Sequence, residues 1–264
     1  MPHALLALTV LGYLAGSVLL LQGTLGEQPL ATPRWAVACG ATALLAHAGL
    51  LFLPIIAGQP LNTHFFQALS LVAWSMALVM TLVHAHSRAR LLLAMIWPIA
   101  LTAAIAGTLA TPHVEANGGW QIRLHVAIAL SAYALLSIAA LQALAVAWQE
   151  HNLRHKRLTP LLRALPPLSA MEDLLFQYIV AGFALLTLTV LSGALFIDDW
   201  MAQHLVHKTV LTLLAWLVFG LLVFGRWRFG WRGRTAVKWT LAGMAVLLLA
   251  FFGSKFVLEI VLRR

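Results

Sequence analysis

The stretch whose reading decides the fold runs from Ile122 to Trp148, IRLHVAIALSAYALLSIAALQALAVAW, in which Arg123 is the one side chain of fixed charge. A helix rises about 1.5 Å per residue, so about 20 apolar residues cross the hydrocarbon core of a bilayer. This stretch is long enough. Outward from it lie seven further apolar runs bounded by Pro, Gly, His or charge, at about 4 to 21, 36 to 53, 65 to 83, 91 to 110, 174 to 197, 207 to 225 and 236 to 260. A membrane barrel would need short strands of alternating polarity, whereas these runs are continuous, so they are helices whose backbone polar groups are satisfied internally. The expected fold is an all-α polytopic membrane protein with a bundle of about eight transmembrane helices. A single membrane domain over residues 1–264 is the simplest organisation, because no repeat, low-complexity tract or sizeable extramembrane segment interrupts the series.

Composition agrees. Of 264 residues, 62% are hydrophobic and only 9% charged, with a mean hydropathy of +0.90, far from the roughly quarter-charged makeup of a soluble domain. The net charge of +9 would point to nucleic acid in a soluble protein. Here it is first a matter of topology, since basic residues collect in cytoplasmic loops, and nucleic acid is excluded as a partner in favour of membrane lipid. Cys39 is the sole cysteine and lies in an apolar run, which leaves no disulfide framework and no Cys-based metal site. The first run has no preceding basic residue, Arg34 being the first in the chain, and so reads as a retained helix rather than a cleaved leader.

Twelve of the seventeen basic residues sit in alternate connections: Arg34; Arg88 and Arg90; Arg154, Lys156, Arg157 and Arg163; and Arg226, Arg228, Arg232, Arg234 and Lys238. The positive-inside rule makes those connections cytoplasmic and puts both termini on the outer, periplasmic side. His3, His64, His113, His125, His204 and His207 then fall at or near the outer surface, and His84, His86, His151 and His155 among the basic loops. His47 is different. It stands alone within a run, roughly 9 Å below the outer end by helical rise, where an ionisable group usually faces the protein interior and has a partner.

His125 draws attention first, because Trp120 and Arg123 precede it within two helical turns. A flat apolar ring with negatively charged edges would take that set: imidazole for a metal centre, a cation for the carboxylates and an aromatic face. Haem is such a ligand. The same residues also fit an interfacial helix end, with Trp120 in the aromatic belt and Arg123 reaching to the headgroups. His204 and His207, three apart, share a helix face beside Asp198, Asp199 and Trp200. The pair offers a second axial ligand, a divalent metal site, or simply a solvated helix start. Glu259 and Lys255, at i and i+4 spacing, read as a structural ion pair rather than a proton path.

The segments WQIRLHVAIALSAYALL, SGALFIDDW and the run from His207 to Phe256, with the L-H-V entry at His125, the LLAW ending at Trp216 and Gly230-Trp231-Arg232-Gly233-Arg234, resemble the integral membrane cytochrome c assembly family of the CcsA and CcmC type. Within it, the likeness is greatest to the shorter YpjD and HemX branch of bacterial inner membrane proteins. It covers about residues 120–264, and the remainder more loosely. The resemblance implies haem handling at the outer face of the bacterial inner membrane. His125 matches the outward histidine before the family's tryptophan-rich loop, and Phe196–Lys208 occupies the place of that loop, reduced here to Trp200.

On that resemblance the expected roles are His125 and His207 as haem iron ligands, Arg123 and Lys208 as propionate partners, Trp200 as a ring-covering aromatic, and His47 as a further ligand inside the membrane. The chain would bind and deliver haem during cytochrome maturation or haem trafficking, working with cytochrome maturation proteins or other membrane proteins, without catalysing a reaction. A second reading is a ligand-free scaffold or regulator of the HemX kind, acting through its basic loops.

Overall fold

The computed structural model describes residues 2–25, 34–59, 64–84, 90–109, 119–156, 159, 161–162, 165–196 and 206–253. Eight α-helices make up most of them: α1 Pro2–Leu25, α2 Arg34–Ile56, α3 Phe65–His84, α4 Arg90–Leu109, α5 Trp120–Arg154, α6 Leu168–Phe196, α7 Val206–Phe229 and α8 Gly233–Leu248, the last running into a π-helical turn, Leu249–Gly253. Each, α8 with its π turn, is long and apolar enough to cross a membrane. The expected all-α, eight-helix architecture is the observed one.

Two helices exceed their apolar runs. α5 continues to Arg154 and α6 already begins at Leu168, so the long connection expected between about 149 and 173 is helical at both of its ends. Gln149 and Asn152 are buried on the added turns of α5, as are Met171 and Glu172 on those of α6. Arg154 pairs with Glu150 one turn back at 2.6 Å. A helix ends where its backbone loses partners, which need not be where hydrophobicity ends. At the start of α6, Pro166 and Pro167 immediately precede the helix, a position where a missing N–H costs nothing.

Close approach of the backbones divides the chain into two units, Met1–Asn117 with Leu158–Pro166, and Gly118–Arg157 with Pro167–Arg264. In unit 1, α1 packs on α2 and α4, and α3 packs on α4. Small residues permit this. A Cβ at Gly12 would lie 2.8 Å from the Cys39 carbonyl oxygen, and one at Gly16 would lie 2.6 Å from the indole of Trp97. Trp97 is fully buried and fills the space left by Gly16 on α1 and Gly40 on α2. Lipid supplies no hydrophobic drive between helices, so such close packing carries the association.

In unit 2, α5 packs on α6 and α8, while α7 packs on α6 and α8. The start of α5 meets the end of α6 through His125 and Ser192, and the start of α6 meets the end of α7 through Asp173 and Arg226. Neighbours therefore run antiparallel. A three-residue turn, Gly230 to Arg232, returns the chain from α7 to α8. Gly230 at φ 67° and Gly233 at φ 57° take left-handed conformations that a side chain would strain. The Trp231 N–H donates to the Gly225 carbonyl at 3.2 Å, and its ring stacks on Trp239 at 5.9 Å.

Candidate functional site

A cavity of about 470 Å³ opens in unit 2 between α5, α6, α7 and the π turn. That volume is within the roughly 300–1,000 Å³ of small-molecule sites. His125 and Tyr133 of α5, eight residues apart, line it over about 12 Å of helix. Thr189 and Gly193 face it from α6, Lys208 and Thr212 from α7, and Phe251 from the π turn, with aliphatic side chains between them. Its imidazole and its ammonium group, His125 and Lys208, come from near the starts of α5 and α7.

His125 is half-buried, and its Nδ1 lies 2.8 Å from the Ser192 hydroxyl. Among the described residues no hydrogen bond engages its Nε2. Ser192 is itself buried and donates to the Thr189 carbonyl at 3.1 Å. Gly193 gives the ring room, since a Cβ there would stand 3.3 Å from Cε1 of His125. Deeper in, the Tyr133 hydroxyl donates to the Leu247 carbonyl at 2.7 Å, and its ring stands 5.9 Å from that of Phe251. The π turn thus carries an aromatic side chain to the cavity wall.

The other expected site residues are distributed differently. Lys208 lines the cavity, whereas the adjacent His207 is exposed and does not. Arg123 is exposed at the start of α5, and Trp120 lies edge-on to Phe196 at 6.2 Å. Trp200, Asp198, Asp199, His204, His86, His113, Lys255 and Glu259 fall outside the described residues. His47 belongs to unit 1, fully buried. Its Nδ1 is 3.4 Å from the Tyr13 hydroxyl and its Nε2 is 2.9 Å from the Ser70 hydroxyl, so both ring nitrogens have protein partners. It has the interior partners expected of a histidine at that depth, and neither nitrogen is left over for a ligand.

The opposite end of unit 2 brings Arg154, Arg226, Arg232 and Arg234 together with three acids, Glu150, Glu172 and Asp173. Glu150 meets Arg154 at 2.6 Å and Arg234 at 3.4 Å. Arg226 reaches Asp173 at 3.1 Å and lies 4.5 Å over the Phe176 ring. The Glu172 carboxylate accepts from the Gly233 N–H at 3.0 Å, satisfying a donor of the α8 start that no side chain of α8 itself caps.

Sequence reasoning singled out His125 and Lys208 but missed Ser192, Tyr133 and Phe251. Ser192 is 67 residues from His125, and a serine in an apolar run carries no signal of what it touches. The glycine following it was the one available hint.

A family model described as cytochrome C assembly protein matches residues 35–262 of this chain. The inner membrane protein YpjD of Escherichia coli (strain K12) is 34% identical over 236 residues, covering 86% of this chain and 88% of that protein. The cytochrome c biogenesis protein CcsA of Microcystis aeruginosa is 25% identical over 94% of this chain and 90% of its own. Protein HemX of Brevibacillus brevis is 24% identical over 131 residues, 49% of this chain and 48% of that one.

Proposed function

This chain belongs to the cytochrome c assembly protein family as a multi-pass inner membrane protein, and from that premise we propose that it binds haem in the cavity of unit 2 and hands it on in cytochrome maturation or haem trafficking. The observation that carries this reading is His125, at the wall of an otherwise largely apolar cavity with Nδ1 engaged by Ser192 and Nε2 not engaged by any described residue.

The donor set fits the group. A metal-bound imidazole commonly uses its second nitrogen to hydrogen-bond a neighbouring oxygen, the relation that His125 has to Ser192. Gly193 leaves the space in which the imidazole ring lies. Lys208 supplies a cation near the same cavity end, suited to carboxylates as a point charge. Tyr133 and Phe251 offer aromatic surface. When bound, haem supplies an iron centre that accepts an imidazole ligand, and a carboxylate edge that prefers a cationic neighbour. The work of the chain is to hold, orient and shield it, which makes this a binding and delivery protein rather than a catalyst.

The positive-inside rule supports placing the Arg226–Lys238 end of unit 2 toward the cytoplasm and the His125 and Lys208 end toward the periplasm, with both chain termini outward. Arg123, two residues before His125, then lies at the periplasmic rim as a second cation. His207 is the nearest further histidine by its place beside Lys208, but the geometry supports His125 more directly as iron ligand. His47 would have to give up Tyr13 or Ser70 to bind a metal. The scaffold reading draws less support, because Arg154, Arg226, Arg232 and Arg234 are engaged with acids of their own unit.

The test is an absorption spectrum, oxidised and then reduced, of protein purified in mild detergent from haem-replete cells. A stoichiometric Soret band with the α and β bands of a histidine-ligated haem is expected. A protein that remains haem-free even after reconstitution would overturn the reading and turn attention to protein partners.

A further inference from the structure

The Ser192-Gly193 step on α6 is in direct contact with the His125 ring, and its hydrogen bonds fix more than the position of that ring. Ser192 has one hydroxyl proton and two acceptor lone pairs. Its oxygen lies 3.1 Å from the Thr189 carbonyl and 2.8 Å from His125 Nδ1. A carbonyl only accepts, so when the single proton is given to Thr189, the bond to His125 must run the other way, from an Nδ1–H into the serine oxygen. Both bonds exist together only in that tautomer. The opposite tautomer would keep only one of the two bonds and would aim an Nε2–H toward surroundings in which no described residue accepts it.

We propose that Ser192 is a positioning residue that holds His125 in the Nδ1–H tautomer and so leaves Nε2 as its lone-pair nitrogen, with Gly193 keeping space for the ring. The purpose assigned to this arrangement, a preset metal-binding nitrogen, rests on the haem reading, whereas the tautomer itself does not. Gly193 contributes sterically. A methyl at that position would stand 3.3 Å from Cε1, a tight approach, and 3.9 Å from Nδ1, an ordinary one, so the bare backbone at Gly193 lets the ring lie close against α6 beside Ser192. The bond also ties α5 to α6 near the end where His125 and Lys208 line the cavity, and Ser192 itself is buried.

The test uses the full chain in detergent, ligand-free, with ¹⁵N-labelled histidine, and assigns the His125 nitrogens by comparison with His125→Gln. Wild type should show a protonated Nδ1 and an unprotonated Nε2. Ser192→Ala should lose that preference and Ser192→Thr, which keeps a hydroxyl, should retain it. Titration with ferric haem should then show affinity about ten- to a hundredfold weaker in Ser192→Ala, the usual scale for a lost partner of a metal ligand, with a shifted reduction potential and recovery in Ser192→Thr. An Nε2–H tautomer in wild type, or one unchanged by Ser192→Ala, would overturn the proposal. If the tautomer changes as expected while wild type takes up no haem, the positioning stands and the haem reading falls.

Discussion

His47, fully buried, and His125, half-buried, show how the same side chain takes different tasks. At His47, Tyr13 and Ser70 occupy both ring nitrogens; at His125, Ser192 occupies one. We therefore propose a structural role for His47 in unit 1. His47→Leu would leave the Tyr13 and Ser70 hydroxyls without this partner, at about 1–3 kcal/mol for each buried group. A thermal unfolding midpoint measured in detergent should fall, with haem content per folded protein unchanged. Normal stability with loss of haem would restore His47 as a ligand. At this scale the sequence made His125, Lys208 and His47 visible because ionisable groups are conspicuous in an apolar chain. It hid Ser192 and Phe251, whose importance lies in contacts between helices far apart in sequence.

Among the elements, hydropathy located all eight helices, since each must supply about 20 apolar residues to cross the membrane. It placed the ends of α5 and α6 less well. Those helices extend into polar sequence through the Glu150–Arg154 pair and the buried Glu172, interactions that hydropathy counts against a helix. Glu172 also serves α8, accepting from the Gly233 N–H. Glu172→Ala should lower stability by about 0.5–2 kcal/mol, the range for a lost helix N-cap. Gly233→Ala, forced to φ 57°, should cost about 1–2 kcal/mol. Both effects can be read from unfolding midpoints in detergent. Wild-type midpoints for both variants would mean that the α7–α8 turn does not depend on this bond and this glycine.

For the whole molecule, charge carried the sequence argument furthest. By the positive-inside rule, the alternate clustering of basic residues predicts a periplasmic His3 and a cytoplasmic His155 and Arg228. In a Cys39→Ala background, a single cysteine replacing His3 should react with a membrane-impermeant maleimide in intact spheroplasts, and one replacing His155 or Arg228 only after permeabilisation. The reverse pattern would invert the protein and move the His125 cavity to the cytoplasmic side. What charge and hydropathy did not disclose is the cavity itself, because a space between helices belongs to their packing and has no local sequence signature. Two wall residues, His125 and Lys208, pointed to it in advance.

The central claim is that His125 holds haem in the unit 2 cavity, and the most direct measurement is a ferric haem titration of purified haem-free protein followed at the Soret band. Wild type and His64→Ala, altered in unit 1, should each saturate at one haem per chain. His125→Ala should show no saturable histidine-ligated species. Equal, stoichiometric binding by His125→Ala and wild type would contradict the claim.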